Sequence, residues 1–170
     1  MKIFKLKWIA AIVTFAISSG FTSFVSADVK LKLIEGKKFS DYEVTGQSRP
    51  RSLVTLEKDL NKLFTRLSDQ TLKEDQIMEI DVTNIDLPGI YYYSVGPTNR
   101  DLRIIDSNTP FKLNFNYRIK NTNGELVKQG AHKIKGFSDS GTASWRNRNR
   151  GTVGYYERSL KKWIKVAIAE

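Results

Sequence analysis

The chain of 170 residues contains no cysteine and a single histidine, His132. The first absence excludes disulfides, thiol nucleophiles, cysteine-ligated zinc and the lipid-modified cysteine of a bacterial lipoprotein. The second leaves any metal site with one imidazole and carboxylate oxygens, whereas zinc sites draw on several nitrogen or sulfur ligands. His132 is therefore expected to be a solvated strand histidine, with no metal and no cofactor in the protein. There is no phosphate-cradling glycine loop and no dinucleotide fingerprint. Gly136-Phe137-Ser138-Asp139-Ser140 has serine where a nucleophile elbow needs its second glycine. Acid is also scarce: 18 Asp and Glu stand against 28 Lys and Arg, a formal net charge of +10.

Long apolar runs are confined to the start. Lys2, Lys5 and Lys7 precede an apolar run from Trp8 to Ile17, and Val25-Ser26-Ala27 offers a small-residue cleavage site, the pattern of a secretory signal peptide over residues 1–27. Ser18, Ser19, Gly20, Thr22 and Ser23 dilute the later half too much for a spanning helix. The mature chain is expected to begin at Asp28 and to be no integral membrane protein. Loss of the leader removes three lysines and no acid, so the charge falls from +10 to +7. A basic exported protein meets lipid headgroups, lipopolysaccharide or acidic proteins, and rarely nucleic acid.

The chain as a whole, 40% apolar and 27% charged, is an ordinary globular mixture, and positions 28–170 have the makings of one folded domain. Val29, Leu31 and Leu33 alternate with Lys30 and Lys32, a short strand with a lysine face suited to a sheet edge. Leu53, Leu56, Leu60, Leu63, Phe64 and Leu67 form one stripe of a helix over residues 53–67, with Ser52 as its expected N-cap. Met78, Ile80 and Val82 alternate with Glu79, Asp81 and Thr83, after which the apolar phase shifts to Ile85 and Leu87. Either a bulge near Thr83 and Asn84 restores the facing, or the strand changes the side it buries. Pro88-Gly89 suits a type II turn. Ile90 to Tyr93 and Leu102 to Ile105 read as short strands around Gly96-Pro97. Phe111 to Ile119 alternate without fault, and Asn123-Gly124 predicts a hairpin turn of the primed type. Residues 138–154 read as a basic surface loop, and Tyr156, Leu160, Trp163, Ile164 and Ala167 recur at helical spacing, with Glu157 and Lys161 as an i,i+4 pair. The expected fold is α+β: a mostly antiparallel sheet of four to five strands with two helices on one face, in the order βαβββ plus a C-terminal helix.

Three clusters invite chemistry. Asp81 and Asp86 lie on opposite faces of a regular strand or, with a bulge, on one face at roughly 13 to 16 Å, too far for paired catalytic carboxylates. Asp86 is instead expected to accept amides of its turn or to pair with Arg103, and Asp41 to accept hydrogen bonds within its own turn. In Trp145-Arg146-Asn147-Arg148-Asn149-Arg150, an extended backbone aims Arg146, Arg148 and Arg150 to one side as planar donors for phosphate or carboxylate; otherwise the row is a solvated basic loop. Tyr91, Tyr92 and Tyr93 serve either packing or a binding platform.

Taken together, Lys38-Phe39-Ser40-Asp41, Ile80-Asp81-Val82-Thr83-Asn84-Ile85-Asp86-Leu87-Pro88-Gly89, Leu102-Arg103-Ile104 with Thr109-Pro110, Tyr117, Gly124 and Tyr156-Glu157-Arg158 with Leu160 and Trp163 resemble the proteobacterial secreted proteins of domain-of-unknown-function family 3016. The resemblance covers nearly all of the mature chain. Asn84 and Pro88 depart from the family's usual Asp-Ile-Asp-Leu-Ala-Gly, so the first acid of that motif is not essential here. The resemblance implies an exported, periplasmic protein of a Gram-negative bacterium and no assigned activity. The functional expectation is a non-enzymatic accessory or binding domain that meets an anionic envelope component or a protein partner. The alternative is an envelope hydrolase whose acids, for instance Asp41 with Asp86, converge only in the fold.

Overall fold

A computed structural model of the chain describes residues 28–69, 71–106, 108–138 and 152–168. The expected leader at 1–27 and the arginine row at 145–150 lie outside the described residues. Among the described residues six strands and two α-helices follow in the order β1 (Asp28–Leu33), α1 (Arg49–Ser68), β2 (Gln76–Asp86), β3 (Ile90–Val95), β4 (Arg100–Ile104), β5 (Pro110–Asn121), β6 (Leu126–Phe137) and α2 (Glu157–Ile168). A mixed sheet has the order β1-β2-β5-β6, and β3 pairs with β4 in a separate two-stranded ribbon. The main sheet with its helices is therefore βαβββα, and the ribbon is an insertion between β2 and β5. The α+β expectation holds.

Strand β1 lies at an edge, where its lysines face water, but it pairs parallel to β2. A parallel neighbour requires a crossover, which α1 supplies. The helix begins at Arg49, earlier than its leucine stripe, because Pro50 needs no amide partner in a first turn. Ser48, not Ser52, is the N-cap residue. Ser52 is fully buried inside the helix, where its Oγ accepts the Val44 amide at 3.0 Å. It thus ties the incoming loop to the helix.

The phase shift in β2 is a bulge: register slips between Val82 and Asn84, and Ile80, Val82, Ile85 and Leu87 are all buried. The β5–β6 turn departs from the primed type. Of its residues only Gly124 has positive φ, 88°; its amide donates to the Asn121 carbonyl at 2.8 Å, and the Asn121 amide donates to Glu125 at 2.9 Å. This is the longer turn closed by a left-handed glycine. Strand β6 runs to Phe137, and Val153 and Gly154 are buried; residues 139–151 of the expected basic loop lie outside the described residues.

Both helices cover the same face of the sheet. Phe64 of α1, Phe115 of β5 and Trp163 of α2 meet edge to face, with ring centroids 5.4 Å (Phe64–Phe115), 4.8 Å (Phe115–Trp163) and 6.3 Å (Phe64–Trp163) apart. Burial of such rings is a main source of stability in a chain without disulfides. Glu157 at the start of α2 binds Arg66 of α1 at 3.1 Å. No residue of β3 or β4 belongs to the buried core.

His132 is not the solvated strand residue expected. It points to the helix face and stacks on Trp163, centroid distance 5.4 Å and interplanar angle 25°. Burial lowers its pKa from the ordinary 6.5. The unfolded chain then takes up a proton that the folded one refuses, so stability falls as pH drops below about 6.5. The carboxylates with shifted pKa values titrate lower still. Urea midpoints at pH 7.5 and 5.5 should therefore differ in the native protein and converge in His132→Phe; an undiminished difference in that variant would reject the assignment.

Candidate functional site

The residues singled out near Asp41 and Asp86 meet at one seam, where the loop before α1, the end of β2 and the ribbon β3–β4 come together. Its geometry starts from the backbone. Asp41 extends the sheet beside the end of β2: its amide donates to Ile85 O and its carbonyl accepts the Leu87 amide, both at 3.0 Å. The bulge makes this possible, since Asn84 turns out to accept the Ser40 amide at 2.9 Å and to donate to Ser40 Oγ at 3.0 Å. Gly89, at φ 98°, then reverses the chain into β3.

Arg103 of β4 closes the seam. Its Nη1 and Nη2 donate to Asp41 Oδ2 and Oδ1 at 2.8 and 2.5 Å, and to the carbonyls of Pro88 (3.2 Å) and Glu43 (2.9 Å). The side chain is only 7% exposed, and its guanidinium carbon lies 5.5 Å from the centroid of the Tyr91 ring. A buried, bidentate pair of this kind orients both partners. Asp41 also accepts the Glu43 amide at 3.4 Å, the local turn expected of it. Arg103 is therefore the partner of Asp41 and not of Asp86, which pairs with Lys112 of β5 at 3.2 Å. Tyr156 donates its hydroxyl to the main-chain oxygen of Asp86 at 3.0 Å. Burial, together with the charges of Asp86 and Asp41, keeps that phenol protonated far above its usual range.

A cleft of about 390 Å³ opens beside this node, lined by Asp41, Glu43, Arg49, Lys37, Ile90 and Tyr93 among others. Glu43 accepts Arg49 Nε on one carboxylate oxygen and the Tyr93 hydroxyl on the other. Burial pushes the Glu43 carboxyl up, but the bonds from Tyr93 and Arg49 and the charges of Arg49 and Arg103 outweigh it, and its pKa is lowered. Sequence inspection missed Glu43 and Arg49. Six positions separate them across the start of a helix, a spacing that carries no motif.

On the face of the sheet opposite α1 and α2, Arg118 binds Glu79 at 2.9 Å and Asp81 at 2.8 Å, Lys120 binds Glu79 at 2.8 Å, and Lys112 holds Asp86. The bulge places Asp81 and Asp86 on this one face, each on its own cation. Pairs as exposed as these contribute about 0–1 kcal/mol each. Trp163 belongs to the core, and Trp145, Arg146, Arg148 and Arg150 lie outside the described residues. Among the described residues no group of three or more His, Asp or Glu is arranged to hold a metal, and no helix is long and apolar enough to cross a membrane.

The family model described as "Protein of unknown function (DUF3016)" matches residues 27–166. No curated protein sequence matches the chain. Among solved structures, the crystal structure of a minor lipoprotein from Acinetobacter baumannii aligns with 84% of this chain and 94% of its own, at 12% identity and a TM-score of 0.33; nothing is carried over from a similarity at that level.

Proposed function

The chain belongs to the DUF3016 family, and from that premise we propose that it is an exported, periplasmic binding domain without catalytic activity, which associates with an anionic component of the cell envelope. One observation carries the non-catalytic part. Both acids of the seam cleft, Asp41 and Glu43, have both carboxylate oxygens engaged by cationic or phenolic donors. A general acid or base needs a carboxyl free to exchange a proton with a substrate. These are committed to holding backbone and ribbon in place. The hydrolase alternative has two acids in one cleft to recommend it, but gains no free proton carrier there.

Association with an anionic surface is supported by the charge of +10, which remains +7 without the leader, and by the arginine row Arg146, Arg148 and Arg150 beside Trp145. Such binding weakens as salt rises. Retention of the purified protein on lipopolysaccharide or anionic lipid surfaces should be strong at low ionic strength and lost at high, and Arg146→Ala/Arg148→Ala/Arg150→Ala should weaken it. Absence of retention at low salt would refute the proposal. A hydrolytic activity against envelope polymers that disappears in Glu43→Gln would replace it with the alternative.

A further inference from the structure

The ribbon β3–β4 is built inside out. Its pairing sets Tyr91 against Arg103, Tyr92 against Leu102 and Ile90 against Ile104. Since side chains alternate across a strand, Tyr91, Asp101 and Arg103 share one face and Ile90, Tyr92, Leu102 and Ile104 the other. The polar face is the one turned to the protein: Arg103 is clamped by Asp41, and the Tyr91 hydroxyl donates to Asp101 at 3.1 Å. The apolar face is turned out. Ile90 is 60% exposed, Ile104 49%, Leu102 43% and Tyr92 42%, and Val95, paired with Arg100, extends the patch. A ribbon that served stability alone would bury these side chains and expose the charges. Here the ion pairs hold an apolar surface outward.

We infer that this face is a membrane-docking element that inserts into the headgroup region of an anionic bilayer. The inference rests on the anionic-surface function proposed above and names the contact that executes it. Three features select lipid over other occupants. First, Arg100 pairs with Val95 and shares the β4 face of Leu102 and Ile104, so a cation stands among the apolar side chains of a strongly basic chain, as in interfacial segments. Second, Tyr92, paired with Leu102, puts an aromatic ring with a polar tip on the apolar face, which suits the headgroup level. Third, a second copy is disfavoured: five apolar side chains on a two-stranded ribbon fall short of the roughly 800 Å² per partner of a stable interface, and two chains that each keep a charge of +7 without the leader repel.

The test is co-sedimentation of the protein, as processed by the cell, with phosphatidylcholine vesicles made with and without phosphatidylglycerol. The native protein should bind the phosphatidylglycerol vesicles, and Leu102→Asp/Ile104→Asp should bind them at least about tenfold more weakly, because two apolar side chains no longer leave water. Both positions are exposed, so thermal melting should be unchanged. A second readout does not depend on that variant. With no native cysteine present, Tyr92→Cys can carry a polarity-sensitive dye, whose emission should shift to the blue on phosphatidylglycerol vesicles and not on pure phosphatidylcholine. The inference is overturned if the double aspartate variant binds like the native protein, if the dye stays in water, or if ultracentrifugation shows a dimer that the same variant dissolves. Loss of vesicle binding in the arginine triple variant alone, or retention on lipopolysaccharide with no vesicle binding, overturns the ribbon's role and leaves the anionic-surface function standing. Binding to neither surface removes both.

Discussion

Replacing Arg103 by alanine is expected to lower stability by about 3 kcal/mol, the range for breaking a buried pair by removing one partner. The loss has identifiable parts. Asp41 would face a low-dielectric seam without its cation, and the carbonyls of Glu43 and Pro88 would lose a donor. Arg103→Lys should recover only part, because a single ammonium cannot reproduce the two parallel bonds to Asp41 together with the two carbonyl contacts. Urea unfolding of the native protein and both variants checks this. A change below about 0.5 kcal/mol, the scale of an ordinary surface substitution, would mean that the node is ornamental.

A similar effect is expected at the other anchor of the ribbon. Gly89→Ala should cost about 3 kcal/mol, from strain at positive φ combined with a steric clash. The backbone at Gly89 has φ 98°, and an added Cβ would lie 2.4 Å from Ile104 O and 2.7 Å from Ile105 Cγ1. Neither neighbour can yield cheaply, since one is backbone of the paired strand. The same substitution at Gly46 or Gly96, where nothing lies within 4 Å of the added carbon, should cost only the conformational strain. Unfolding curves for the three variants separate the two contributions. Equal losses at all three would show that the close approach of β4 to Gly89 has no energetic weight.

The elements were largely legible in the sequence because their apolar periods are clean. The leucine stripe of α1, the alternation of Phe111 to Ile119 and the spacing of Leu160, Trp163, Ile164 and Ala167 each mark one face that must be buried, and each is buried. The slip between Val82 and Ile85 offered a bulge as one of two readings, and the bulge is the one found. What stayed hidden depended on partners remote in sequence. Asp41 and Arg103 stand 62 positions apart, and nothing local distinguishes Arg103 from a solvated arginine or couples it to Asp41 in preference to Asp86. The parallel pairing of β1 was illegible for a similar reason, since a strand's alternation does not encode the direction of its neighbour. Alternation also says which residues share a face and not which face meets the protein. In β3 and β4 the usual inference would place Ile90, Tyr92, Leu102 and Ile104 inside, and charge pairing across the seam reverses it. His132 was misplaced because register across β5–β6, rather than polarity, sets it opposite Phe115 and under Trp163.

The acids of the seam act as braces that hold an outward-facing ribbon on the core. Amide hydrogen exchange in Arg103→Ala tests this most directly, because it reads the ribbon and the main sheet separately. The expected result is that residues 90–95 and 100–104 lose protection by a large factor while β2 and β5 keep theirs. Ribbon amides exchanging as slowly in the variant as in the native protein would contradict it.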